Sequence, residues 1–235
     1  MVVGAPARYL VFFQYLGTRY SGVMETSNDQ SLIGVQNYLE KAMQNLKPVA
    51  PVKFHISSRT DTGVHALCNS AHLDIQRAPG KPAFDEKQLV HGLNRHLKPE
   101  PICILNAHRV ASTFHARFSA LSRTYIYRLL MGCSHHSEIP VFERDLCWAP
   151  RGGGLEFWEL KFRSRSFLYR QVRRMVGALV AVGQGKLTPH RIKELLELKD
   201  SRAFPSNAMA PPSGLFLKSV EYSAADLDPT VAPGE

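Results

Sequence analysis

The order of hydrophobic patterns along the 235 residues predicts an α+β chain, and three observations carry that prediction. The first is a run of period-two segments rich in Val, Ile, Phe and Tyr, which reads as strands. The second is a pair of intervening stripes at a period near 3.6, which read as helices. The third is their sequence: residues 8–110 give β-α-β-β-α-β, the split βαβ pattern of an antiparallel sheet backed by two helices.

Taken in order, Arg8 to Tyr15 is a strand of strong β formers, followed by a glycine-bounded loop, Gly17 to Gly22, carrying Arg19 and Tyr20. A helix is predicted from near Ser31 to Leu46, with Leu32, Val35, Leu39, Ala42 and Leu46 on one stripe and Pro48 closing it. Val52 to Ile56 alternates and reads as a strand; a second follows from about Asn69 to Ile75. Asp85 opens a second helix with Leu89, Leu93 and Leu97 inward, and Ile102 to Val110 completes the half. The second half, 111–222, opens with Phe114 to Phe118 and a strand from Ser122 to Leu130. A strand from Glu156 to Arg163 leads to a helix over about Phe167 to Gly183. Thr188 caps another helix, with Pro189 at its first position and Ile192, Leu195 and Leu196 facing in. A Pro/Ala/Ser loop precedes a last strand, Gly214 to Tyr222, and residues 223–235 read as a disordered tail.

Composition narrows the function. With 29 Lys+Arg against 20 Asp+Glu, the formal charge is +9, which points to a polyanion partner and to nucleic acid before membrane. The excess is concentrated: Lys161, Arg163, Arg165, Arg170, Arg173 and Arg174 lie in one stretch with no acid. They interleave with Phe162, Phe167, Leu168, Tyr169, Val172 and Met175, so one side is expected to be buried while the other carries arginines to phosphates. No run of 18 apolar residues exists. Cys68, Cys103, Cys133 and Cys147 form no CxxC pair and read as reduced thiols; Cys133, His135 and His136 lack a second ligand pair at zinc spacing. P-loop, dinucleotide and zinc-deaminase signatures are absent.

The most informative stretch is Ser57-Ser-Arg-Thr-Asp-Thr-Gly-Val-His-Ala66. Gly63 can take a positive φ at no steric cost, so the chain can turn sharply and hold the Asp61 carboxylate outward, with Arg59 two positions away to keep it charged. Two readings are open on the residues alone: Asp61 starts a turn, or it is a nucleophile or general base. A third takes Asp61-Thr62-Gly63 as one half of an aspartic-protease pair, which needs a second carboxylate.

The segment Arg59-Thr-Asp-Thr-Gly-Val-His-Ala66 resembles the G-R-T-D-A-G-V-H-A motif of the TruA family of tRNA pseudouridine synthases. The likeness continues in order through Gly34-Val-Gln-Asn-Tyr-Leu-Glu40, Phe114-His-Ala-Arg-Phe-Ser-Ala120 and Arg123-Thr-Tyr-Ile-Tyr127. It ends with Phe167-Leu-Tyr-Arg-Gln-Val-Arg-Arg-Met-Val-Gly177 and Gly214-Leu-Phe-Leu217, so it spans most of residues 8–222. Its detail is nearest to the family's eukaryotic branch, whose members are placed in mitochondria, although residues 1–8 hold a single arginine and show no obvious presequence.

The resemblance implies the pseudouridine synthase fold: two split βαβ, ferredoxin-like halves whose mainly antiparallel sheet carries helices on one side and a basic cleft. It implies isomerisation of a uridine in tRNA to its C-glycoside with no metal or organic cofactor, RNA binding, and a homodimer; messenger RNA is a further candidate substrate. By position Asp61 matches the catalytic aspartate, Tyr125 the tyrosine under the target base and Arg173 the arginine paired with the carboxylate. Arg59 and Arg117 match positions near bound RNA, and Leu215 lies in the motif lining the pocket. The loop Tyr15 to Val23 departs from the family's Y-D-G-x-x-Y-x-G-W in lacking the acid and the tryptophan. Only Ala149 to Glu156 stands where the family carries a helix and a G-x-H/N-D-F-x-S-F segment, so the second half is expected to be truncated, with exposed edges and an incompletely covered core. On that ground a catalytically impaired, RNA-binding splice product is the alternative reading.

Overall fold

The computed structural model describes residues 5–27, 29–133, 135–152, 154–205 and 208–227. Contacts divide the chain into two compact units, Met1–Thr124 with Leu217–Glu235, and Tyr125–Phe216. The boundaries fall inside two strands, whereas the halves read from the sequence divide in the loop at 110/111.

In the first unit β1 (Ala7–Tyr15) pairs antiparallel with both β3 (His65–Ile75) and β4 (Ile102–Arg109), so that Val11 faces Ala71 on one side and Ala107 on the other. The hydrogen-bonded order there is β4-β1-β3-β7, with β7 spanning Leu215–Glu221 and the short β2 (His55–Ile56) on β3. Val52, Phe54 and Ile56 are buried while Lys53 and His55 are exposed, which is the alternation of the sequence, although only His55 and Ile56 form ladder bonds. β3 begins four residues before Asn69, because Ala66 pairs with Tyr15 across a bulge.

α1 (Val35–Gln44) starts later than the hydrophobic stripe predicts. Gly34 is extended and its N–H is taken by Thr26 Oγ1 and Asn37 Oδ1, so Leu32 stays outside the helix and exposed. α2 (Glu86–Leu97) matches expectation: the Asp85 carboxylate accepts from the Lys87 and Gln88 N–H groups, and Leu89, Leu93 and Leu97 are buried. Leu10, Val110, Phe114 and Ala116 form a cluster joined by Phe12, Tyr222 and Leu227. Residues 225–227 form a 3-10 turn there rather than tail, and 228–235 lie outside the described residues.

The second unit carries β5 (Ser122–Met131) from Tyr125 onward, β6 (Glu156–Ser164), α3 (Gln171–Gly183) and α4 (Pro189–Leu198), in strand order β7-β5-β6. α3 starts at Gln171, not Phe167, because Arg170 adopts a left-handed φ of 57° and breaks the run. Two expectations are corrected here. Thr188 caps α4 as predicted, its hydroxyl accepting from the Arg191 N–H, but no α4 residue is buried: Ile192 and Leu195 are half-buried and Leu196 is exposed. The basic stretch also divides differently: Val172 and Arg173 are buried, while Leu168 and Tyr169 are exposed. No helix of the described residues is long and apolar enough to cross a membrane.

Candidate active site

In the first unit Asp61 lies on the turn between β2 and β3, half-buried. Gly63 takes a φ of 76° and the Val64 N–H closes the turn on the Asp61 carbonyl at 3.1 Å, the geometry expected from the sequence. What holds this turn comes from elsewhere in the chain. The segment Ser21–Val23 lies alongside it: Gly22 and Asp61 form an antiparallel bridge, the Val23 N–H donates to Thr60 O at 3.2 Å, and Thr62 Oγ1 donates to Ser21 O at 2.8 Å. Gly22 has a φ of 124°, and a Cβ there would sit 2.6 Å from Thr60 O, so only glycine allows the two backbones to meet.

Beneath the turn, Tyr15 Oη and Thr60 Oγ1 are 2.7 Å apart, and Asn69 Nδ2 donates to Ser58 O at 2.9 Å. Full burial pushes the Tyr15 phenol up to about 12, so it stays a neutral hydrogen-bonding group. Arg123 is buried and donates from Nε to Ser58 Oγ at 2.9 Å and from one guanidinium nitrogen to Ser57 O and Oγ at 3.2 Å and to Arg117 O at 2.8 Å. One side chain therefore ties the Asp61 turn to the segment 115–120. Arg59 and Arg117 both project to the surface.

The second unit holds Tyr125, Arg173 and Leu215. Tyr125 and Leu215 are buried, and the Tyr125 and Phe167 rings meet in a T-shaped contact with centroids 5.2 Å apart. Arg173 is 8% exposed, not a solvent-facing helix residue. Its Nε donates to Ala210 O at 2.8 Å, and its own carbonyl accepts from the Ala210 N–H at 3.1 Å. Tyr127 Oη donates to Pro211 O at 2.7 Å, and burial raises that phenol further. So α3 and β5 are both fastened to the strand-leading segment 208–215 that ends in Leu215.

The structure thus gathers Asp61, Arg59 and Arg117 in one unit and Tyr125, Arg173 and Leu215 in the other. Sequence reasoning missed Tyr15, Gly22, Thr60, Asn69 and Arg123 as supports of the site. A signal existed for Arg123, two positions before Tyr125, for Thr60, beside Asp61, and for Tyr15 and Gly22 in the loop Tyr15 to Val23, since all four sit in stretches already singled out; Asn69 carries none by itself. Cys133 and Cys147 are free thiols packed with Leu130 and Ile139.

Comparison with known proteins gives a consistent result. A profile described as tRNA pseudouridine synthase matches residues 11–119 and 134–223. The chain is 51% identical to tRNA pseudouridine synthase-like 1 of Xenopus laevis, covering 94% of this chain and 93% of the relative. It is 44% identical to the protein of that name from Homo sapiens, with 92% and 90% covered, and 35% identical to tRNA pseudouridine synthase A of Maricaulis maris, with 92% and 98% covered. The seven strands of the described residues, the helices and the RTDTGVHA turn are accounted for together: the chain belongs to the tRNA pseudouridine synthase family, whose members are isomerases.

Proposed function

We propose that the chain converts a uridine of tRNA to pseudouridine with Asp61 as the catalytic carboxylate. The observation that carries the assignment is the clamp on the Asp61 turn: the backbone that bears the carboxylate is held by Ser21–Val23, Tyr15 and Arg123, from three segments outside the turn. A residue that merely starts a turn needs no such support. The reaction breaks the bond from ribose C1′ to N1 and makes one from C1′ to C5, losing the C5 proton and gaining one at N1. No atom is gained or lost overall, so no oxidant or cofactor enters the balance. The uridine must leave its stack to be reached, at a cost of a few kcal/mol. Stacking on an aromatic face such as Tyr125 recovers roughly 1–3 kcal/mol per base. Arg59 and Arg117, both exposed, suit the flanking phosphates, and Arg173 suits the carboxylate. Tritium release from tRNA labelled at uridine C5 tests this. Asp61→Ala should abolish release and leave tRNA affinity within about threefold; turnover that survives removes Asp61 from the mechanism.

The second reading, an RNA-binding form with impaired catalysis, is supported by one feature of the comparison. The alignment with the Xenopus laevis relative runs over 279 positions, more than the 235 residues of this chain, so the relative carries residues without a counterpart here. The exposed β6 and α4 fit a second half missing some of its cover. Tight tRNA binding with no tritium release from the unaltered chain would establish this reading over the first.

The resemblance also supports mitochondrial residence, with cytoplasm and nucleus as the alternatives, and a homodimer; messenger RNA stands beside tRNA as a further candidate substrate. A tagged chain excluded from mitochondria, a monomer by sedimentation at all concentrations, and a pseudouridine map of messenger RNA unchanged on removing the chain would overturn these in turn.

A further inference from the structure

In the first unit the segment Phe114 to Phe118 carries an aromatic ring outside the core. Phe114 and Ala116 are buried, while Phe118 leaves 71% of its surface in solvent. A scattered surface phenylalanine needs no explanation, but this one is held in place. The Phe118 and Ser119 N–H groups both donate to the His115 carbonyl, at 3.0 and 2.8 Å, and the His115 N–H donates to Ser119 Oγ at 3.2 Å. Arg123 donates to the Arg117 carbonyl at 2.8 Å and to the Ser57 and Ser58 hydroxyls, so the segment is tied to the stretch that runs into the Asp61 turn.

Phe118 stands at the end of a row of rings. Its centroid lies 4.4 Å from that of His115, which lies 4.6 Å from His72, which in turn stacks on His55 at 4.5 Å. The two inner imidazoles accept backbone hydrogen bonds at Nδ1, His115 from the Arg117 N–H at 3.2 Å and His72 from the Ala116 N–H at 3.1 Å. A neutral ring that accepts at Nδ1 carries its proton on Nε2, so no lone pair is left for a metal. Burial, then His55 and Arg8, push the His115 pKa below its ordinary value, which keeps that ring neutral. What these rings give Phe118 is a fixed aromatic neighbour, not a charge. The charge beside it is positive: the Arg117 guanidinium lies 5.7 Å from the Phe118 centroid. The sequence holds no acid from Lys41 to Thr60 or from Pro101 to Ser137, the stretches that contribute His55, His115, Arg117 and Phe118. Asp74, two positions from His72, is engaged by Arg8 at 2.7 and 2.8 Å. An exposed ring beside a cation, on segments free of carboxylates, suits a nucleobase together with its phosphate.

We propose that Phe118 is a stacking site for an unpaired base of the substrate RNA other than the target uridine, with Arg117 on the adjoining phosphate. The proposal rests on the tRNA reading and deepens it. Besides the uridine taken up at Asp61, a second base is gripped on the segment that Arg123 ties to the same turn. Paired bases stack on one another and offer no free face, so the site selects a loop or bulge over a stem.

Affinities of the full chain for unmodified tRNA transcripts test the site, using the transcript bound most tightly in a panel. Phe118→Ala should raise the dissociation constant about 5- to 150-fold. Phe118→Leu should lose nearly as much and Phe118→Trp little, because the ring face and not the apolar bulk holds the base. The slope of affinity against salt should be unchanged in Phe118→Ala and shallower by about 0.7–0.9 in Arg117→Gln, since only the arginine displaces counterions. One abasic nucleotide at an unpaired position outside the target should weaken wild-type binding as much as Phe118→Ala does. The same abasic transcript should bind Phe118→Ala no more weakly than the intact one does, because the partner ring is already gone. A wild-type chain that binds no tRNA overturns the inference together with the tRNA reading. A chain that binds tRNA overturns the stacking site alone, and leaves that reading standing, under any of three results: Phe118→Ala within about twofold of the wild type, Phe118→Leu equal to it, or no abasic position coupled to Phe118.

Discussion

Arg123 Nε donates to Ser58 Oγ at 2.9 Å, and with that bond a side chain 65 positions away braces the turn bearing Asp61. The guanidinium is buried and serves Ser57 and the Arg117 carbonyl as well, so its removal leaves several acceptors without a partner. Arg123→Ala should cost roughly 2–4 kcal/mol of stability in denaturant unfolding. Arg123→Lys should recover little, because one ammonium cannot reproduce the fork. A loss under about 0.5 kcal/mol would mean the bonds contribute little.

Gly22 joins stability to activity through geometry. A methyl group there meets Thr60 O, and the backbone at φ 124° is strained for any other residue. Gly22→Ala should reduce turnover by tenfold or more and cost about 1–3 kcal/mol, with tRNA binding changed far less. Gly80→Ala is the control: it also has a positive φ but meets nothing within 4 Å. Equal effects from both variants would assign the loss to strain alone.

Arg173→Lys keeps the charge and removes the Nε bond to Ala210 O. Turnover should fall at least tenfold while the dissociation constant for tRNA moves by about threefold or less. An affinity that collapses with turnover unchanged would make Arg173 a phosphate anchor.

His72 predicts the pH dependence. Its ring stacks on His55 at 4.5 Å, and its Nδ1 accepts from the Ala116 N–H at 3.1 Å, so the folded chain holds it neutral. Burial, followed by His55, Arg8 and His115, pushes its pKa from 6.5 down to about 4. Over that window the unfolded chain binds the proton and the folded chain does not, so stability falls as pH drops from about 6.5 toward 4, then levels. The slope from this one group is at most about 1.4 kcal/mol per pH unit. His72→Asn retains an acceptor without a titrating ring and should flatten the dependence in unfolding curves measured between these values. An unchanged slope would place the acid sensitivity elsewhere.

What could be read without coordinates was what neighbours in sequence decide. Asp85 caps α2 because its own carboxylate reaches two following N–H groups, and Leu89, Leu93 and Leu97 repeat on one face. Gly63 turns the chain at Asp61 because it alone in that stretch lacks a Cβ. The failures have an equally physical cause. Leu32 matched the α1 stripe, but Thr26 and Asn37 cap Gly34 and start the helix after it. Leu196 matched an inward face of α4, yet an apolar face is buried only where something packs on it, and nothing in the sequence of the helix supplies that partner.

The order of strands and helices, the Asp61 turn and the family were therefore set by the amino-acid sequence, since φ/ψ preference, side-chain period and motif spacing act over a few residues. Tertiary structure alone decided that Tyr15, Gly22, Asn69 and Arg123 would hold the turn and that Arg173 would be buried. Hydrogen-bond partners and burial depend on which distant segments meet, and that is settled by packing of the whole unit.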